Sequence, residues 1–565
     1  MSSGQRRRIL LAALSGVLLA FAYPMLSLWW LAWVALVPLY LAVGGLGDKA
    51  PFPLPLPPAS GAGGPEGLSL PTAEASGVGL LDTPAPEAGG RGRGKGANLS
   101  AFLPGFTFGL ILFLVGLFWM NEIGALPWFV LACIQALPFA LMTLVCAVLM
   151  LRLPVWARPL AFAALWTLAE WARTQGKLAF PWFMLSSSQV RALPLAQIVD
   201  ITGQWGLSFA IATVNGLLGE AWQKRKVGQP LRFIAAAGAI IGVLLAYGIP
   251  QYQRYDSLPT DGPGTRAVAV AQGSFSKNYS GDGATEALAT YLDLSRDAAV
   301  ANPRPELILW PETVVPFGLM NSQVAHDAVT RLARDQRTAL LVGTTHMDAQ
   351  DNYYNSAALI NAQGEIVARY DKIRLVPVGE FFPLRGLLKS IYARYGVPDR
   401  DMTSGPLGHS LTLDSAEGRR PLRLGPMICY ESVFPDYARA QARDGAQILT
   451  LVTSDQTFGT SAGPYQHADQ SAIRAIETRR PLVRAASTGV SEFINPAGRV
   501  TASLGLNERG VLSRQITPRT ELTLFVQWGD WFVWLCGAIV VAAVVMAIRR
   551  SALSSPSPEP ASAAD

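Results

Sequence analysis

At 565 residues the chain is too long for one compact domain. Its composition, 50% hydrophobic and 15% charged with a mean hydropathy of +0.27, points away from an ordinary soluble protein and toward an integral membrane protein. The net charge of +6 calls for no nucleic-acid partner, and four cysteines without CxxC spacing and four histidines without HxxxH spacing give no sign of a metal, another cofactor or a disulfide framework.

In chain order, eight apolar runs approach the roughly 20 helical residues that cross a bilayer core. They lie at 9–24, 26–44, 100–119, 124–150, 157–173, 197–218, 232–250 and 528–548. The first is short and is closed by Pro24, so the first two are expected to pack as a kinked pair within residues 1–45. Ala20-Phe21-Ala22 has the small-x-small form of a signal cleavage site, but the apolar pattern resumes at once, which favours a retained helix. Residues 46–98 are dominated by Pro, Gly, Ala and Ser and end in Gly-Arg-Gly-Arg-Gly-Lys-Gly; they read as a disordered cytoplasmic loop, as does the 551–565 tail. Spans three to seven occupy 99–250 and the last 528–550. Glu170, Asp200 and Gln204 are expected to face the bundle interior.

Basic residues set the orientation. Arg6, Arg7 and Arg8, then Arg91, Arg93 and Lys95, Arg152 and Arg158, the Lys224–Arg232 cluster, and Arg549 and Arg550 all fall on one side of an eight-span bundle, which is then cytoplasmic. Arg173, Lys177 and Arg191 fall on the other. Segment 251–527 therefore faces the periplasm or its equivalent.

Within that segment strands are predicted at 267–271, 307–310, 339–343, 356–361, 366–370, 422–428, 448–453, 482–487 and 491–495. Helices are predicted at 285–302, 321–336, 432–444 and 465–479, and Ala-Gln-Gly at 362–364 reads as a hairpin turn. The alternation implies a sheet layered with helices.

Three strand ends carry chemistry. Trp310-Pro311-Glu312 places a carboxylate after one, Tyr370-Asp371-Lys372 an amine after another, and Met427-Ile428-Cys429-Tyr430-Glu431 a thiol after the third. Thiol attack on an acyl group needs a base for the S–H proton and a cation or N–H donors for the oxyanion. Glu312 suits the first role, and Lys372 with a backbone N–H near Tyr430 suits the second. Taken singly, each has a plainer explanation: a helix-capping acid, a solvated lysine, a core cysteine. No histidine is close in sequence to these motifs, so a Cys-His pair has little support.

This pattern resembles the nitrilase superfamily, which implies an αββα sandwich and a Glu-Lys-Cys triad. With the membrane frame it resembles the apolipoprotein N-acyltransferase family, through the stretches 21–38, 165–173, 180–182, 202–207, 372–383 (KIRLVPVGEFFP), 429–431 and 480–489. The resemblance implies a polytopic α-helical membrane bundle of about eight spans plus an α/β nitrilase-like domain in the bacterial cytoplasmic (inner) membrane. It implies Glu312 as base, Lys372 as stabiliser of the tetrahedral intermediate and Cys429 as acyl-carrying nucleophile, supported by Glu380, Tyr430 and Glu431. The implied partners are a phospholipid acyl donor, a diacylated apolipoprotein acceptor and membrane lipid, with a thioester intermediate. One departure is visible: the family has an Asn-Asp-x-Trp-Phe run where this chain reads Ser454-Asp455-Gln456-Thr457-Phe458.

Residues 379–398 mix Phe381, Phe382, Leu384, Leu387, Leu388, Ile391 and Tyr392 with Arg385, Lys389 and Arg394, which fits either a lid lying among lipid headgroups or a surface helix packing its apolar side on its own domain; its place directly after the lysine motif favours the lid. The rival readings are a tethered amidase using the same triad with water as acceptor, a non-catalytic scaffold that kept the fold, and a transporter. The intact triad opposes the second; the third leaves the triad-bearing domain unexplained.

Overall fold

The computed structural model describes residues 1–44, 93–262, 264–275, 282–315, 318–394, 399–406, 408–414 and 419–553. Most of the 46–98 loop and of the 551–565 tail lie outside them; at its end the former is already helical, in Arg93–Gly116.

Among the described helices, three are long and apolar enough to cross a membrane: Ala125–Arg152, Leu231–Asp256 and Trp531–Ser551. That is fewer than the eight expected. The second expected run is broken into a tight turn, Trp29–Trp33, and a short helix, Val37–Gly44. The sixth breaks at Gly203 (φ +63°) before the helix Gln204–Lys224. The fifth, Arg158–Ala172, spans 15 residues, about 22 Å at the usual helical rise, short of a hydrocarbon core of about 30 Å. The Leu231–Asp256 helix also runs past the expected boundary at 250. Inside the bundle, Gly105 and Gly109 lie one turn apart and let two helices touch backbone to backbone. A Cβ on Gly109 would meet Ala136 Cα at 2.6 Å, and one on Gly105 would meet the Phe139 carbonyl at 2.3 Å.

Among the described residues the α/β domain has twelve strands: β1 (Arg266–Gln272), β2 (Leu307–Val315), β3 (Ala339–Met347), β4 (Tyr353–Ile360), β5 (Ile366–Asp371), β6 (Leu411–Leu413), β7 (Leu422–Ile428), β8 (Ile448–Thr453), β9 (Leu482–Ala486), β10 (Ser491–Ile494), β11 (Val500–Leu504) and β12 (Gly510–Ile516). They form two six-stranded sheets, ordered β12-β1-β2-β3-β4-β5 and β11-β10-β9-β8-β7-β6. The nine expected strands are present, and the 362–364 turn joins antiparallel β4 and β5 with Gly364 at φ +79°. Strands β6, β11 and β12 were not expected. β6 is only three residues long, and β11 is a half-exposed outer strand whose alternation, Val500, Ala502 and Leu504 against Thr501 and Ser503, is five residues long and escaped the sequence reading.

Alternation decides the layers. On β1, Val268 and Val270 face the opposite sheet with Leu309, Leu341, Leu424 and Val452, while Ala269 and Ala271 face the helices Asp282–Ala299 and Gln323–Gln336. Met427, Leu449 and Leu451 of the other sheet pack beneath the helices Pro435–Arg443 and Gly463–Thr478. Burying one such large side chain contributes about 1.5–3 kcal/mol. The result is four layers, α-β-β-α.

The bundle grips this sandwich through buried polar contacts. Arg479, at the end of the Gly463–Thr478 helix, donates to Asp200 Oδ2 at 2.7 Å and to Gln197 Oε1 at 2.6 Å. Trp119 and Trp182 both donate to Gln466 Oε1, at 3.0 and 2.9 Å, and Tyr430 donates to the Ala179 carbonyl at 2.7 Å. Asp200→Ala would strand a fully buried guanidinium. A loss of about 3 kcal/mol is expected, read as a lower thermal midpoint in detergent; an unchanged midpoint would show that the pair does not hold the junction.

Candidate active site

Glu312 does not follow β2 but lies within it. The pairing of β2 with β3 shifts register between Trp310 and Val315, and Thr313 sits at φ +56°. Gly343 makes room for this bulge, since a Cβ there would fall 2.0 Å from the Pro311 carbonyl. The bulge turns the Glu312 carboxylate into a buried position where Oε1 accepts from Lys372 Nζ (3.1 Å) and Asn355 Nδ2 (2.7 Å). Oε2 accepts from the Ser454 backbone N–H (2.8 Å). Three of about four lone-pair sites are thus occupied.

Lys372 follows β5 directly and is buried; its Nζ also donates to Glu380 Oε1 at 2.7 Å. Asn355 Nδ2 bridges the same two carboxylates, reaching Glu380 at 3.0 Å. Burial by itself would lower the Lys372 ammonium, but Glu312 and Glu380 outweigh it and hold it well above the ordinary lysine range.

Cys429 opens a tight turn, Cys429–Val433, at the end of β7, at φ +51° in the left-handed region. It is partly exposed. Burial pushes the thiol up, Glu312 pushes it further, and Lys372 pulls the other way; the outcome is a thiol held well above its ordinary pKa. The structure brings Glu312, Lys372, Glu380 and Cys429 to one end of the sandwich.

Glu431 ties two of these strand ends together. Its Oε2 accepts from the Ile428 N–H (2.8 Å) and the Tyr370 hydroxyl (2.8 Å), and its Oε1 from the N–H groups of Ile373 (2.7 Å) and Arg374 (3.1 Å). Burial raises this carboxyl to about 7, against the pull of those donors.

Behind Cys429 lies a second polar group. Asp455 Oδ1 meets His467 Nδ1 at 2.8 Å, and Oδ2 accepts from Arg484 at 2.7 Å. His467 Nε2 lies 3.0 Å from Ser432 Oγ and 3.2 Å from the Cys429 carbonyl oxygen. Burial would raise the Asp455 carboxyl, but Arg484 and then His467 hold it down at about 2. Asn355, Tyr370, His467 and Arg484 escaped the sequence reading. Asn355 stands out only as a polar residue in an apolar strand, and His467 lies 38 residues beyond the cysteine whose carbonyl it faces.

The carbon-nitrogen hydrolase family model matches residues 267–523, and the apolipoprotein N-acyltransferase N-terminal domain model matches residues 92–217. A curated apolipoprotein N-acyltransferase of Geobacter metallireducens is 31% identical, covering 97% of this chain and 96% of its own length. The chain belongs to the apolipoprotein N-acyltransferase family. A member from Azotobacter vinelandii is 32% identical over 81% of this chain and 89% of its own length. Among solved structures, an amidase from Nesterenkonia sp. is similar to 49% of this chain, over 99% of its own length, at 21% identity and a TM-score of 0.36. Family membership accounts for both halves of the molecule, the helical part and the α/β part.

Glu431→Gln would set an NH2 where one oxygen accepts from two of the four donors and should cost about 1.5–3 kcal/mol, read as a drop in thermal midpoint with slower acyl transfer. An acid held below its ordinary 3.8 stabilises the fold above that pH and loses this contribution as pH falls through about 2. The stability gap between wild type and Asp455→Asn, followed by tryptophan fluorescence, should therefore shrink between about pH 4 and pH 2.

Proposed function

We propose that the protein transfers a fatty acyl chain from a phospholipid, through a thioester on Cys429, to the N-terminal amine of a diacylglyceryl-cysteine lipoprotein. The observation that carries this reading is the position of Cys429, which packs against the apolar cluster of the helical bundle on one side and the sandwich core on the other. An acyl chain reaching the thiol from the bundle side would meet a row of rings in which Phe180 stacks on Trp182, Tyr430 tilts against Phe180 and Phe458 meets Trp182 edge-on.

Because the resting sulfur is a thiol, a base is required. Glu312 takes the S–H proton as sulfur bonds to the ester carbonyl carbon. The oxyanion is met by Lys372 and by the Tyr430 backbone N–H at the start of the turn, where helical N–H groups lack internal partners. Collapse breaks the ester C–O bond, and Glu312 returns the proton to the departing lysophospholipid oxygen. The acceptor amine then attacks the thioester, gives its proton to Glu312 and expels the sulfur, which recovers that proton. The cycle is ping-pong. Glu380 and Asn355 keep the Lys372 ammonium on Glu312, and Glu431 keeps the Lys372 and Cys429 loops in register.

All eight apolar runs are proposed to lie in the bacterial inner membrane, with the α/β domain on the periplasmic side. Exposed Trp156 and Trp222 near the basic loops and exposed Trp528 and Trp534 at the other end suit two interfacial belts. Two of the three basic residues on the outer side have local partners: Arg173 is buried and donates to Gln135 at 2.8 Å, and Arg191 pairs with Asp469 at 3.4 Å. Leu384 and Leu387, exposed at the start of the Arg385–Arg394 helix, suit a lid that enters the headgroup region.

Intact-protein mass spectrometry is the test. Incubation with phospholipid should add one fatty-acyl mass at Cys429, which moves to the amine of an added diacylated lipopeptide. Cys429→Ser should lose turnover at least about a thousandfold, and Lys372→Met about a hundredfold or more. An adduct that passes only to water would establish an amidase-type hydrolase instead.

A further inference from the structure

The Cys429–Tyr430 peptide has two working ends. Its N–H belongs to the oxyanion site proposed above. Its carbonyl oxygen, which a planar trans peptide holds on the opposite side, faces His467 Nε2 at 3.2 Å and accepts from Ser432 Oγ at 2.9 Å. Ser432 Oγ and His467 Nε2 are themselves 3.0 Å apart. Three polar atoms thus form a closed triangle to which Ser432 brings one proton. Unless Nε2 carries another, its lone pair opposes that of an oxygen in a buried site, a costly arrangement. The ring is fixed from behind by Asp455 Oδ1 on Nδ1 at 2.8 Å, and Asp455 is fixed in turn by Arg484 at 2.7 Å. All three side chains are buried.

We propose that His467 is a positioning residue: by donating from Nε2 to the Cys429 carbonyl, it orients and polarises the peptide whose N–H stabilises the oxyanion. The left-handed φ of Cys429 gives this contact a purpose, since a non-glycine residue stays in that region only where its surroundings hold it. A hydrogen bond on the carbonyl strengthens the N–H of the same amide as a donor, because hydrogen bonds in a chain polarise one another. Asp455 and Arg484 act through the ring, and Ser432 supplies the second hydrogen bond to the same oxygen. The inference rests on Cys429 being the acylated nucleophile.

Two reactions of the same thiol separate this role from a merely structural one. Acylation by phospholipid passes through an oxyanion; alkylation by iodoacetamide is a displacement that forms none. In detergent-solubilised full-length protein, His467→Leu should slow single-turnover acylation of Cys429 by about ten- to a hundredfold, with the alkylation rate within about threefold of wild type. His467→Gln, whose amide N–H can replace the Nε2 donor, should recover most of the acylation rate. Ser432→Ala, the second variant should His467→Leu fail to fold, should lower acylation by about three- to tenfold and leave alkylation unchanged. Parallel loss of both reactions, or unchanged acylation in a folded variant, would overturn the proposal. Wild-type protein that alkylates at Cys429 but takes up no acyl group would instead overturn the underlying function.

Discussion

The site depends on one buried carboxylate. Glu431 accepts from two residues after Lys372, from Tyr370 before it, and from Ile428 just before Cys429. Strands β5 and β7 belong to different sheets, so nothing in either ladder sets the distance between an amine on one and a thiol on the other. Four hydrogen bonds to a single rigid group do so. A carboxylate is suited to this because it accepts from several directions at once and donates from none.

The charges at the site are balanced rather than simply buried. Burial lowers the Lys372 ammonium, and Glu312 with Glu380 more than reverses it. Those carboxylates would repel each other without the ammonium and the Asn355 amide between them. Burial and then Glu312 raise the nearby thiol against the pull of Lys372, which makes the sulfur a poor nucleophile until a base acts on it. In the proposed mechanism Glu312, which disfavours the thiolate, is also the group that removes the thiol proton, so ionisation of sulfur is coupled to the arrival of substrate.

Geometry also couples the two halves of the molecule. Tyr430, next to the thiol, donates to Ala179 of the bundle, and Phe458, which ends the altered 454–458 run, packs on Trp119 at 4.5 Å. Ser454 differs from the family's asparagine, but it serves Glu312 with its backbone N–H, which any residue other than proline supplies. Movement of the bundle against the sandwich would therefore be felt at Cys429 through directional contacts and not only through apolar packing.

Much was legible in the sequence, because it rests on local chemistry. Short, largely continuous apolar runs mark the nine expected strands, since alternating side chains must reach two buried layers, and the Lys372 and Cys429 motifs stand at strand ends, with Glu312 inside β2 and not beyond it as its motif suggested. Apolar length alone overstated the separate crossing helices: Gly203 and the turn at Trp29–Trp33 break runs whose composition stays hydrophobic. Only the tertiary structure decided the bulge that turns Glu312 inward, the Asn355 bridge, and the seat of His467 beneath the Cys429 carbonyl. Each of these pairs groups far apart in the chain, and the physical reason is common to all. A buried donor or acceptor is satisfied by whatever the packing of distant elements brings within about 3 Å, and no local pattern encodes that meeting.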